Sequence, residues 1–557
     1  MIDFAKLVDQ LYFTSSNLAK AALIKQYLSV AAPTDRGWAI AAIAGTLQLE
    51  FFKRKTIKDL ITKRVDPILF DLSYDYVGEM SETVAHLWQA QDDDPIAEFE
   101  EILSLNELIA QFQSLPKKEI EPFLITLLNQ LNAAQRWALI KLGTRGLRIG
   151  VSAQFVKKIL AEYGQEHAVS RGISEQTAKE QYSVEELERL WHGVKPPYDS
   201  LFDWLEGNAD KPDVSQSITF QPVMLSHPID ESTLDCLDIK NWTAEWKFDG
   251  IRVQLVITKK GKALFSRTGD DISHSFPDLL VSFDEDTCAG VFDGELLALQ
   301  TNKEKQESKT YKIASFNQLQ QRLNKKRPSK KLMNECPVGI MLYDALKIGN
   351  EDLRAHSLVV RQSKLNKWFE SVNADKLMLS QTFGIDSAEE AKALRERASQ
   401  QHGGYIEGLM LKRNDSLYIA GRPKNQWFKW KRDPLLIDAV MMYAQRGHGK
   451  RSSFYSDYTF GCWQGESLLP VGKAYSGFTD VELKEIDKWI RQNTVGRFGP
   501  VKEVKKELVF ELAFDSVHLS KRHKSGLALR FPRVHRIRWD KPAHEADTVT
   551  NLRNLAE

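Results

Sequence analysis

Apolar residues change their spacing along this chain, and that change decides what it can fold into. Up to about residue 205 they recur at helical intervals. Phe4, Leu7, Val8 and Leu11 fall at i, i+3, i+4 and i+7, which lines one face of a helix. Leu124, Leu127, Leu128 and Leu131 repeat the spacing, with Pro122 near the helix start. From Ile218 to about Asp433 short strands mix with helices. Beyond 434, strand-like runs at 437–443, 458–463 and 508–514 predict a small β-barrel. Between the first two patterns, 207–217 is rich in Gly, Asn, Asp, Pro and Ser and reads as a linker. At 557 residues the chain is too long for one core. The expected class is therefore a multidomain α+β protein: an all-α region at 1–206, a linker at 207–217, a mixed α/β region at 218–433 and a β-barrel at 434–557.

Composition excludes more than it selects. The net charge of +1 hides any local basic face. Cys236, Cys288, Cys336 and Cys462 are far apart, with no C-x-x-C pair. A cysteine-built zinc site and a disulfide framework are therefore not expected, and isolated thiols suit the cytoplasm. The first residues resemble no signal peptide, and no apolar run reaches membrane-spanning length. Asp92-Asp93-Asp94-Pro95 reads as a solvated loop rather than a metal cluster, because metal carboxylates converge from spaced positions. Tryptophans 38, 88, 137, 191 and 204 read as helical core. The stretches 304–309 and 324–331 read as charged loops or helix faces.

One octet carries chemistry: Glu245-Trp246-Lys247-Phe248-Asp249-Gly250-Ile251-Arg252. It reads as a strand, a tight Asp-Gly turn of the hairpin kind, and a second strand. Lys247, where the turn opens, is either a solvated edge charge or a nucleophile. The pattern K-x-D-G alone arises by chance in about one chain in ten of this size. Downstream clusters share its character, with one or two ionic groups set into apolar strand sequence. They are Ser266-Arg267, where the arginine either binds phosphate or caps a turn, Asp293-Gly294-Glu295, Tyr343-Asp344, Glu407-Gly408 and Lys429-Trp430-Lys431. In the last, alternation puts both lysines on one strand face and Phe428 and Trp430 on the other. So many half-charged strands are costly unless the charges converge. Converged, Arg252, Lys429 and Lys431 favour a neutral amine on Lys247, because like charges disfavour protonation. Glu407 suits a divalent metal, Tyr343 offers a flat face to a base, and Glu295 accepts from a ribose hydroxyl. The set describes lysine attack on the α-phosphate of a nucleotide. Earlier in the chain, segment 142–152 holds three glycines with Arg145 and Arg148, and ends at Gly150 and Ser152. It reads either as a phosphate site at a helix start or as a glycine-rich connection with solvated arginines.

These residues, in this order, resemble the covalent nucleotidyltransferase superfamily of DNA ligases, RNA ligases and mRNA capping enzymes. Segment 315–322, the run 529–533 with Arg536, Arg538, Asp540 and Lys541, and segments 78–83, 147–150 and 447–451 narrow the resemblance to ATP-dependent DNA ligases. The resemblance implies a helical DNA-binding domain, an ATP-grasp-like adenylation domain and a C-terminal OB-fold. It implies ATP and Mg2+ (or Mn2+) as cofactors, and nicked double-stranded DNA as partner of a cytoplasmic monomer, nucleoid-associated when on DNA.

By the same resemblance Lys247 is the adenylated nucleophile. Glu245 reads the adenine amino edge and Tyr343 stacks on the ring. Arg252, Glu295, Arg267 and Arg422 lie on the ribose, phosphate or DNA-end side, and Glu407 with Glu295 holds metal. Lys429 and Lys431 contact the α-phosphate. Arg538, Asp540 and Lys541 orient pyrophosphate, Arg145, Arg148, Gly150, Lys450 and Arg451 touch DNA, and a hinge lies near Arg432-Asp433-Pro434. A helical region ahead of Lys247 disfavours RNA ligases and capping enzymes, the absent cysteine module disfavours NAD-dependent ligases, and the intact Lys247, Glu407, Lys429 and Lys431 disfavour a non-catalytic nucleic-acid-binding protein. The lean ends suit bacterial or archaeal ligases.

Overall fold

A computed structural model describes the chain except residues 48–49, 78, 97–100, 215–216, 301–311, 324, 326, 373, 399–404, 448–453, 499–500, 521–522 and 556–557. The stretch 304–309, Gly78 and the basic loop residues Lys450 and Arg451 thus lie outside the described residues. The chain forms two compact units. One comprises Met1–Ser170, Pro196–Gly207 and Pro434–Glu557, the other Arg171–Lys195 and Asn208–Asp433.

Up to Glu206 the regular structure is helical, as the spacing predicts. Ile2–Phe13 buries Phe4, Leu7, Val8 and Leu11, and Ile120–Gln130 buries Leu124, Leu127 and Leu128. Trp88, Trp137, Trp191 and Trp204 are buried, and half-buried Trp38 donates to Asn106 Oδ1 (3.0 Å). The solvated reading of 92–95 fails at Asp94. Its carboxylate turns inward to the Arg64 guanidinium, the Gln91 amide and Asn129. An arginine buried under Trp88 needs a counter-charge there.

Strands are numbered along the chain. In the second unit, β1 (His227–Pro228), β2 (Trp242–Phe248), β9 (Thr382–Gly384), β10 (Ile406–Arg413) and β11 (Trp427–Lys431) form one sheet, in the order β1-β11-β10-β2-β9. A second sheet holds β3 (Ile251–Thr258), β4 (Gly261–Ser266), β5 (Gly290–Ala298), β6 (Val338–Ile348) and β7 (Glu351–Asp352) in the order β4-β3-β5-β6-β7. There β8 (Leu377–Leu379) pairs with β6. This corrects the expected hairpin, because β2 and β3 pair with different sheets. Asp249-Gly250 is the crossing between them. Asp249 N donates to Tyr405 O (3.1 Å), and a Cβ at Gly250 would collide with Glu295 and the Leu296 carbonyl of β5. Only glycine lets the chain pass that close to the other sheet.

The C-terminal part of the first unit is strand-rich. It contains β12 (Leu435–Arg446), β13 (Tyr455–Gln464), β14 (Ser467–Ala474), β15 (Thr494–Phe498), β16 (Val501–Val504), β17 (Val509–Phe514), β18 (Ser516–Leu519), β19 (Leu527–Arg530) and β20 (Arg533–Arg538). The long strand β12 pairs with β13, β16 and β17, and β17 pairs with β20. Alternate residues from these strands fill one core, including Ile437, Ala439, Met441, Phe460, Phe510 and Leu512.

Candidate active site

Three strands of the second unit build a two-sided surface. Register places Lys247, Gly408 and Lys431 in one row, Glu245, Met410 and Lys429 in the next, and Thr243, Lys412 and Trp427 in a third. Side chains two apart on a strand share a face, so all nine positions look the same way. The residues between them, Ala244, Trp246, Phe248, Leu409, Leu411, Phe428 and Trp430, fill the core behind. The alternation read from 427–431 is thus observed.

Glu407 breaks the parity. One residue before Gly408, it would face the tryptophan core. The register shifts between Ile406 and Gly408, making Glu407 the extra residue of a β-bulge, and bulges re-aim side chains. Its Oε2 accepts from Lys247 Nζ (2.6 Å) and lies 3.4 Å from Lys431 Nζ. Gly408 permits this. Its φ is +142°, and a Cβ there would strike the Trp430 carbonyl.

The other sheet supplies the opposite wall. Arg252 and Glu295 are register partners on β3 and β5. Arg252 donates to Asp293 Oδ2 (2.7 Å), which also accepts from Tyr418 Oη, and its guanidinium lies 5.9 Å from the Tyr343 ring centre. Burial raises the Glu295 carboxyl, Lys247 and Arg252 pull it down and the Glu407 and Asp249 charges push it up, so that it stands at about 7. Like-charge neighbours mark the basic side. Burial, then Arg422, Lys247, Lys431 and Arg267, depress the Lys429 ammonium. Burial, then Arg252 and Arg422, depress Arg267. The exposed Arg267 sits on a turn closed by Ser266, Thr268 and Asp270, so the turn has its own caps and leaves the guanidinium free of that task.

One expectation is reversed. Arg252, Lys429 and Lys431 do converge with Lys247, but its amine is not driven neutral. Burial works in that direction, yet the carboxylates Glu407, Glu295 and Asp249 outweigh it and raise the lysine above its usual value. The cause is the bulge, which puts a carboxylate at hydrogen-bond distance where only cations were counted. Among the described residues no three His, Cys, Asp or Glu side chains form a metal cluster. Glu407 and Glu295 still suit Mg2+, which takes one or two protein carboxylates and completes its shell with water and substrate phosphates. The Glu407 charge adds to the upward push on Glu295, and both acids raise the Lys247 ammonium.

Sequence reasoning missed the base of the site. Lys412 is 1% exposed, donates to Glu245 Oε2 (2.9 Å) and lies 4.5 Å over Tyr343 and 4.7 Å over Trp427. Glu245, itself 2% exposed, also accepts from Gln362 (2.8 Å) and Ser380 (3.3 Å). A cavity of about 490 Å³ opens beside Glu245 and Tyr343, flanked by Gln362, Asn366, Ser380 and Thr382. Strand parity counted from Gly408 reaches Lys412. Parity counted from Glu407, the residue that stood out, puts it on the wrong face.

The remaining predicted residues lie in the first unit. Arg145 and Arg148 are exposed, and Arg145 has a φ of 53°. Lys20 Nζ shapes their loop by donating to the carbonyls of Ile149 (2.7 Å) and Gly150 (3.0 Å). Ser152 Oγ accepts from the Phe155 amide and caps Ala153–Ser170. Arg538 reaches Asp540 and Asp438 (both 3.2 Å), and Lys541 reaches Asp438 (2.7 Å).

Residues 1–161, 223–431 and 451–541 match the family models described as DNA ligase N terminus, ATP dependent DNA ligase domain and ATP dependent DNA ligase C terminal region. A probable DNA ligase of Koribacter versatilis is 33% identical over 489 residues, covering 83% of this chain and 79% of that protein. A DNA ligase of Methanococcoides burtonii is 31% identical over 57% of this chain and 54% of its own length. Among solved structures, Pmar-Lig_Pre. shares the fold with a TM-score of 0.59 at 16% identity, over 97% of this chain and 99% of that one. The chain belongs to the ATP-dependent DNA ligase family.

Proposed function

We propose that this protein seals nicks in double-stranded DNA through a lysyl-AMP formed on Lys247. The observation that carries the reading is the row Lys247–Gly408–Lys431 with Glu407 bulged onto its face, opposite Arg252 and Glu295. Lys247 Nζ attacks the α-phosphorus of ATP. A P–N bond forms, the bond to the bridging oxygen breaks, and pyrophosphate leaves with the electron pair. The proton that Lys247 must lose has Glu407 Oε2 2.6 Å away. Lys429 and Lys431 neutralise charge on the α-phosphate, with Arg422 and Arg267 beside it. Tyr343 takes the base, Glu245 its amino edge, and Arg252 and Glu295 the ribose side. AMP then passes to the 5′-phosphate of a nick, and the 3′-hydroxyl displaces it.

Glu407 and Glu295 are the residues to hold Mg2+ or Mn2+, which when bound offsets triphosphate charge. Arg538, Asp540 and Lys541 orient the departing pyrophosphate. Arg145, Arg148 and Gly150 follow the DNA backbone, joined by Lys450 and Arg451.

The functional division is a helical DNA-binding domain at 1–206, a linker at 207–217, an adenylation domain at 218–433 and an OB-fold at 434–557. The last boundary meets the break between compact units at Asp433, which supports a hinge there. No helix among the described residues is long and apolar enough to cross a membrane, and we place the protein as a cytoplasmic monomer, nucleoid-associated on DNA. The test is sealing of a 5′-phosphorylated nick with ATP and Mg2+. Closure of nicked DNA is expected. Closure of nicked RNA alone, or sealing with NAD but not ATP, contradicts the reading.

A further inference from the structure

Strands β12 and β17 place Asp438 directly opposite Glu511. Like charges opposed across an antiparallel pair are destabilising. Among the described residues the basic side chains that reach these two acids come from one short segment, 533–541. Glu511 takes Arg536 (3.2 Å) and His535 (3.6 Å), and Asp438 takes Arg538 (3.2 Å) and Lys541 (2.7 Å). Asp438 is itself fixed, since its amide donates to Asp547 Oδ2 (2.8 Å) and its carbonyl accepts from the Asp547 amide (2.8 Å). Both cations use its Oδ2, while Oδ1 is buried without a hydrogen-bond partner among the described residues. A buried carboxylate so arranged adds little to stability, since its desolvation offsets the attraction, and such pairs are better explained as fixing geometry. Lys541 N donates to Arg538 O (3.2 Å), so one turn carries both side chains to one anchor.

We propose that Asp438 is a positioning residue that holds Arg538 and Lys541 ready for the pyrophosphate leaving group. It acts on adenylation of Lys247 and not on strand closure. This rests on the reading of Arg538 and Lys541 given above. Asp438 touches no reacting atom. It fixes where two positive charges stand when the bond between the α-phosphorus and the bridging oxygen breaks.

The test uses the full chain and three readouts: lysyl-AMP formation from α-labelled ATP, its reversal by added pyrophosphate, and closure of a preformed DNA-adenylate without ATP. Asp438→Ala is expected to slow the first at saturating ATP, and the second, by roughly tenfold, with the KM for ATP within about threefold and DNA-adenylate closure within about twofold. Asp438→Glu is expected to restore most of the loss. Unchanged adenylation and pyrophosphorolysis in Asp438→Ala overturn the inference, and so does an equal loss in all three readouts that Asp438→Glu shares. Arg538→Ala and Lys541→Ala separate the two layers. If they slow pyrophosphorolysis and Asp438→Ala does not, the inference alone fails. If they too leave it unchanged, the reading of 538–541 fails with it.

Discussion

Two groups of cations serve one proposed reaction and live in opposite electrostatic conditions. On the face of β2, β10 and β11, Lys429 is surrounded by Arg422, Lys247, Lys431 and Arg267 and is depressed by burial and by them. On β20 and the turn after it, Arg538 is raised by its hydrogen bond to Asp540, with Asp438 and Glu511 adding to it. The first group is crowded, and its acid Glu407 is shared between Lys247 and Lys431 while Lys429 faces chiefly other cations. It is shaped for an anion that arrives from outside, and a site preorganised in this way loses little to reorganisation when charge develops. The second group is already satisfied by its own domain and must exchange carboxylate for phosphate to act.

The contrast is broken most readily from the crowded side. Lys429→Ala is expected to lower the rate of self-adenylation at saturating ATP by on the order of 10²–10³. Arg536→Ala, which removes an exposed arginine paired with Glu511, should change it less than about threefold. Equal effects would erase the distinction.

A smaller effect concerns the acid between the cations. The Glu295 carboxyl is raised from 4.5 to about 7 chiefly by burial. A carboxyl whose folded value is raised favours the folded state below its unfolded value and loses that contribution as pH rises through the folded one. Glu295→Gln should therefore stabilise the protein at pH 8 by up to about 3 kcal/mol, with the gain fading towards pH 4.5. Denaturant melts in chelator at both pH values check this, and a gain at pH 4.5 equal to that at pH 8 contradicts it. Smaller again, Gly408→Ala should cost about 1–3 kcal/mol for its backbone conformation. It should also slow adenylation by displacing Glu407, read by melting and labelling together. A stable variant with normal labelling would show that the bulge is dispensable.

Much of this was legible in the sequence, for physical reasons. Alternation in 427–431 put Lys429 and Lys431 on one face, because side-chain direction in a strand has period two. Helical spacing revealed the buried face of Ile2–Phe13 in the same way. What escaped depended on register between distant segments. The Asp-Gly turn looked like a hairpin because turn chemistry is local, whereas the sheet each strand joins is not. The protonation preference of Lys247 was misread because a bulge 160 residues away inverts the side of Glu407. Lys412, Gln362 and Ser380 around Glu245, and Asp438 under Arg538, carry no local mark, since each matters only through its partner.

The central claim is that Lys247 becomes covalently bonded to AMP. Incubation with α-labelled ATP and Mg2+, followed by denaturing electrophoresis and mass mapping of the labelled peptide, tests it directly. A phosphoramidate on Lys247, with no label in Lys247→Ala, is the expected result. Label on another residue, or label that persists in Lys247→Ala, would contradict the account.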